Sequence, residues 1–230
     1  MQVFDLEKAR GSLARGLARQ AMDDAARESA DTGRILADLR AMAPNPRSRQ
    51  RFAARMTGRR GVLLARAVRD GLVIVLRTVL TVDLRKDGQP CFSEERIAWT
   101  RFHLRNAKRW TSFDVQALHV TRHVMQRRIE RSDCPMTGVL ADMDAAMLRA
   151  LSRLEKGDIL QDRDDDFVPA QRGVWAGGYE QAAVDPEWGP AFRNGPPMQV
   201  FAIRTFLSEP EMRPTVWMRW SQACSGIRAA

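Results

Sequence analysis

GLVIVLRTVLTVDL, residues 71–84, is the stretch from which the fold is read. Val73, Ile74, Val75, Thr78, Val79, Thr81 and Val82 are β-branched, and the run closes on the turn signal Lys86-Asp87-Gly88, so a strand entering a hairpin is expected. The apolar part, Gly71 to Val82, is about a dozen residues long and is interrupted by Arg77, too short for a membrane-spanning helix. N-terminal to it, residues 1–43 are alanine-rich and place Leu13, Leu17, Ile35, Leu36, Leu39 and Met42 at near-helical spacing. Asp31 or Thr32 is placed to cap a second helical piece, and Pro44 and Pro46 stop it. A shorter basic helix is expected from about Ser48 to Arg55, ended by Gly58 and Gly61.

C-terminal to the strand, a polar connection leads to Phe113–Leu154, whose periodicity predicts helix in two pieces parted by Asp133-Cys134-Pro135. Short strands follow at Asp166–Pro169 and Gly173–Gly178. After a Pro/Gly loop from Asp185 to Pro197 comes a clear strand, Met198–Leu207. Thr215–Trp220 suits either strand or helix. The expected architecture is α+β: an N-terminal helical, Arg-rich region, residues 1–70, then an α+β domain, residues 71–230, with helices packed on a curved, mostly antiparallel β-sheet. A chain of 230 residues can bury a core of this kind without staples. Cys91, Cys134 and Cys224 form no CxxC pair, which points away from a disulfide framework or a cysteine zinc site and toward a reducing, cytoplasmic setting. The opening MQVFDLEKAR has acids where a signal peptide needs an apolar core.

The charge is +9, and it is carried by 33 arginines against four lysines. A GC-rich genome would raise arginine everywhere, yet Leu39–Arg69 holds nine arginines and no Asp or Glu, while Asp142–Asp166 gathers acids. Arginine suits bidentate contact with phosphate, so RNA, or a DNA backbone, is the expected partner. Arg47, Arg51, Arg55, Arg101, Arg105 and Arg109, with His119, Arg122 and Arg128, are the expected nucleic-acid contacts.

His123, Arg127 and Arg131 stand four residues apart, so on a helix they share one face, and His119 would lie one turn earlier. A titratable imidazole beside two fixed cations suits metal-free cleavage of RNA by its own 2′-hydroxyl, which needs proton transfer and stabilisation of the phosphoryl charge. The two histidines also have the spacing of a metal pair, but no third ligand is marked, so neither metal nor cofactor is expected. The plainer reading of the same residues is a solvated or phosphate-contacting basic face. Either histidine could be the functional one; His123 is in register with both arginines.

HVMQRRIERSD, His123–Asp133, resembles the His-x3-Arg-x3-Arg helix opening of RelE-related toxins. Gly173–Gly178 and Ile203-Arg204-Thr205-Phe206 are similar to the late strands of the barnase, EndoU, colicin and RelE superfold, a resemblance covering about residues 115–210. It implies a metal-independent endoribonuclease, with His123 as acid or base, Arg127 and Arg131 on phosphate, and Thr205 orienting substrate or a proton. A strongly positive groove is neutralised most readily by carboxylates, so an acidic antitoxin or immunity protein is the expected inhibitor. The chain is much longer than a minimal toxin, and residues 1–70 have no counterpart in such families. The alternatives are a non-catalytic nucleic-acid-binding accessory protein of a phage or mobile element, and an interaction protein whose basic bias is genomic.

Overall fold

The computed structural model describes residues 6–86, 89–107, 110–163, 165–185, 188–189 and 197–228. Among them the order is α1 (Leu6–Arg27), α2 (Thr32–Arg40), α3 (Pro46–Met56), β1 (Val62–Val68), β2 (Gly71–Lys86), β3 (Gln89–Ala107), β4 (Trp110–Thr121), α4 (Arg122–Arg131), α5 (Val139–Glu155), β5 (Leu160–Asp162), β6 (Asp165–Ala170), β7 (Gly173–Ala182), β8 (Met198–Ser208) and α6 (Pro214–Arg228). The strands form one curved sheet in the order β1-β2-β3-β4-β8-β7-β6-β5, antiparallel throughout except where β4 pairs with β8. The fold is therefore α+β with helices on a curved, mostly antiparallel sheet. It consists of two four-strand meanders, β1–β4 and β5–β8, each followed by helix and joined through their last strands.

Helices cover both faces of the sheet. On one face α1, α4 and α5 meet β2, β3, β4, β8, β7 and β6 in a core that includes Ala18, Met125, Met143, Met147, Trp99, Trp175 and Phe206. On the other, α2 and α3 cover β2 and β3 with Leu36, Leu39, Phe52 and Met56, while α6 covers β6 and β7 with Val216 and Trp220. Truncating a fully buried Met147 to alanine removes apolar volume that cannot refill, at about 2–5 kcal/mol.

The helix caps follow the sequence. Asp31 accepts from Arg34 N at 3.0 Å to start α2, and Asn45 accepts from Ser48 N at 2.9 Å to start α3. Pro46 opens α3 instead of only ending what precedes it, as its fixed φ and missing N–H allow. The Asp87-Gly88 turn lies outside the described residues, but β2 and β3 pair down to Lys86 opposite Gln89. Gly71 is required where β2 begins: a Cβ there would stand 1.8 Å from the Leu104 carbonyl oxygen.

Three expectations are corrected. Phe113–Thr121 is strand, not helix, because β4 lies at the sheet centre, covered on both faces; apolar residues on both sides blur the period of two. The polar connection before it is β3, a 19-residue strand whose Arg96 and Arg101 pair with Glu180 of β7 and Glu155 of α5. Residues 1–70 are not wholly helical: Val62–Val68 is edge strand β1, so the boundary placed near residue 70 falls in the turn between two paired strands. Of the two readings open for Thr215–Trp220, the helix forms, as part of α6.

Candidate functional site

Helix α4 starts where β4 leaves the sheet. Thr121 takes the N-cap position, its side chain accepting from Val124 N at 3.4 Å, and Val124 and Met125 turn into the core. His123 and Arg122 are left exposed in the first turn. They border an open cleft of about 510 Å³ between α1, the β2–β3 hairpin and α4. That cleft also presents Asp23, Glu94 and Glu95, so carboxylates face His123 as well as the cations Arg19 and Arg122.

Arg127 lies one turn on and donates to Glu130 at 3.0 Å, with Glu130 also accepting from Gln126 at 2.7 Å. At the far end of the helix Arg131 donates to the Phe206 carbonyl oxygen at 2.6 Å and to Thr205 Oγ1 at 3.3 Å, and its Nε faces Glu211 at 2.9 Å. Thr205 is brought to Arg131 by a bulge in β8: Thr205 opposes Ala176 while Ile203 opposes Gly177, leaving Arg204 as the extra residue. Of the four residues expected to form a catalytic group, Arg131 and Thr205 touch. His123 is separated from Arg131 by eight residues of helix, about 12 Å at 1.5 Å per residue.

His119 does not extend the face of His123. It sits in β4, 5 % exposed, opposite Ala98, and burial with the nearby Arg96 guanidinium lowers its pKa to about 4. Arg101 is also buried, its guanidinium against Glu155 of α5. Arg105 is half exposed and pairs with Asp114 at 3.3 Å. Arg109 lies outside the described residues. Arg128 is enclosed, with its guanidinium carbon 5.0 Å from the Phe206 ring centroid and 5.9 Å from that of Trp175, and with Asp142 at 3.5 Å.

Arg47, Arg51 and Arg55 are exposed together on α3. The helix glues its other side to the sheet through Phe52, Ala53 and Met56, so the three arginines form one outward stripe with steps of about 6 Å. Arg55 lies over the Phe52 ring at 5.3 Å and is 3.8 Å from Asp38. Sequence reasoning did not single out Arg149, Arg153 and Arg172, which converge with Arg128 around a second cavity. Arg149 and Arg153 are four apart on α5, a signal that could have paired them, but nothing in the sequence joins them to Arg128 or to the β6–β7 turn.

Among the described residues no cluster of three or more His, Cys, Asp or Glu is placed to hold a metal ion, and no helix is long and apolar enough to cross a membrane. No family model, curated protein or solved structure matches the chain.

Proposed function

We propose that this protein is a non-catalytic nucleic-acid-binding protein that holds the phosphodiester backbone of RNA or DNA without reading base sequence. The observation that carries the reading is the Arg47, Arg51 and Arg55 stripe, three exposed guanidiniums in register on a helix fixed to the sheet. Such a row exchanges condensed counterions for protein contacts, which gives affinity that is independent of sequence and steep in salt. Cys134 and Cys224, neither of them in a disulfide, suit a reducing compartment, the cytoplasm in this reading. An acidic protein laid on the same stripe would compete with nucleic acid.

The contact between Arg131 and Thr205 favours a second reading, the metal-independent endoribonuclease. Against it, Arg131 is occupied by Phe206 and Glu211, and His123 stands about 12 Å away along the helix, beyond a single phosphate.

The test is fluorescence anisotropy of a labelled RNA and of a DNA duplex across a salt series, with total RNA incubated in excess chelator beside it. Binding that weakens steeply with salt while RNA stays intact is the expected result. RNA cleavage that survives chelator and disappears in His123→Ala overturns it in favour of the ribonuclease. Absence of salt-dependent binding overturns both.

A further inference from the structure

The cavity reached by Arg128 differs in kind from the α3 stripe. It holds about 580 Å³ between α4, α5 and the β6–β7 turn, within the range of small-molecule sites. Four arginines from three elements line it: Arg128 from α4, Arg149 and Arg153 from α5, and Arg172 from the turn. Among the described residues no acidic side chain lines it; Trp175, Pro169 and Cys224 supply an apolar wall.

The four cations are not equally satisfied. Arg153 pairs with Asp158, Arg172 with Asp133, and Arg128 is 3.5 Å from Asp142, all from outside the lining. Arg128 Nε is nonetheless buried with no hydrogen-bond partner. Burial, with Arg149 and Arg172 close by, pulls its pKa below the ordinary arginine value against the pull of Asp142 and Cys134. Arg149 makes no ion pair with the described residues and is exposed at the cavity mouth. An orphaned buried donor is destabilising and is relieved by an acceptor brought from outside.

We propose that this cavity is a binding site for a phosphate monoester, the dianionic group sitting among Arg128, Arg149 and Arg172 and the rest of the ligand lying along the Trp175 and Pro169 wall. Guanidiniums match phosphate oxygens with paired donors, and a dianion can engage several at once, where a carboxylate would satisfy only one fork. The volume exceeds what a lone inorganic anion fills, so the phosphate belongs to an organic ligand: a free nucleotide, or the phosphorylated end of a nucleic-acid strand. This inference is independent of backbone binding by α3, whose arginines lie on the opposite face of the sheet.

The test is titration calorimetry of the full chain with AMP, with pyrophosphate, and with a short oligonucleotide carrying either a 5′-phosphate or a 5′-hydroxyl. Saturable binding of the phosphomonoesters, with the 5′-hydroxyl strand weaker, is expected. Arg149→Ala should weaken AMP binding about ten- to a hundred-fold, while replacement of the exposed Arg15 of α1, outside the cavity lining, by alanine leaves it unchanged. AMP binding as tightly as the 5′-phosphorylated strand assigns a free nucleotide, and a preference for that strand assigns a strand end; both support the site. Because Arg149 is exposed its removal spares the fold, and Arg172→Ala, 61 % exposed, is the second variant. No heat with AMP, equal affinity for the two strands when Arg47, Arg51 and Arg55 are all alanine, or unchanged AMP affinity in both cavity variants overturns the proposal. Loss of salt-dependent nucleic-acid binding in an α3 variant leaves it standing.

Discussion

Arg131 donates to Thr205 Oγ1 at 3.3 Å, tying the end of α4 to the bulge in β8. The same guanidinium satisfies the Phe206 carbonyl oxygen at 2.6 Å and faces Glu211 at 2.9 Å. This geometry makes Arg131 a tether first. Arg131→Ala leaves the Phe206 oxygen and Glu211 without that donor and should destabilise the protein by about 1–3 kcal/mol. Thr205→Val removes only the longest of the three contacts and should cost at most about 1 kcal/mol. Urea unfolding of the two variants reads both, and an Arg131→Ala midpoint equal to that of wild type would refute the tether.

The contrast between α3 and β4 shows what the chain could disclose before folding. In α3 one side is bound to the sheet and the other is wet, so Arg47, Arg51 and Arg55 announce an exposed stripe by spacing alone. In β4 both faces are covered, and the run from Phe113 to Thr121 loses the alternation that marks a half-buried strand. Read as helix, that run puts His119 one turn before His123; as strand it sets His119 in the sheet, opposite Ala98. The Arg128 cavity was illegible for another reason. Its residues come from α4, α5 and a hairpin turn, and only the packing of α5 against the sheet brings Arg149 toward Arg172.

Burial of His119 makes stability depend on pH. Its pKa is about 4 in the folded protein and about 6.5 when unfolded, so between these values the unfolded chain binds more protons. Stability therefore falls as pH drops from about 6.5 to about 4 and levels below, with a total loss from this group of about 3 kcal/mol. His119→Gln cannot take up the proton and should show a correspondingly flatter profile in that window. Chemical unfolding at pH 7, 5.5 and 4 compares them, and parallel profiles would show that His119 is accessible.

Beneath α5, Arg77 is 3 % exposed and donates to Asp144, which also accepts from Trp99 Nε1 at 2.8 Å. Burial raises the Asp144 pKa despite the two donors Trp99 and Arg77, so desolvation is the larger force on this carboxylate. Asp144→Ala leaves Arg77 with Glu28, 2.8 Å away, as its remaining carboxylate and strands the buried Trp99 Nε1, and should cost about 1–3 kcal/mol. Replacing both with apolar residues, Arg77→Met with Asp144→Leu, should recover part of that loss, because neither charge then remains buried while Trp99 Nε1 still lacks its acceptor. A double variant no more stable than Asp144→Ala would mean that the pair is net stabilising.

The α3 stripe makes the sharpest quantitative claim about nucleic acid. Each arginine on a phosphate releases condensed counterions, contributing about 0.7 to the slope of log affinity against log salt on single strands and about 0.9 on a duplex. Replacing Arg47, Arg51 and Arg55 together by alanine should lower the slope by about 2 on RNA and by about 3 on duplex DNA. The variant should fold, since all three side chains point to solvent and the buried Phe52, Ala53 and Met56 stay in place. His123→Ala should leave the slope untouched, its imidazole facing a cleft shared with Asp23, Glu94 and Glu95. If the triple variant binds with wild-type slope, the contact surface lies elsewhere on the basic chain, and the spacing on α3 is a consequence of composition.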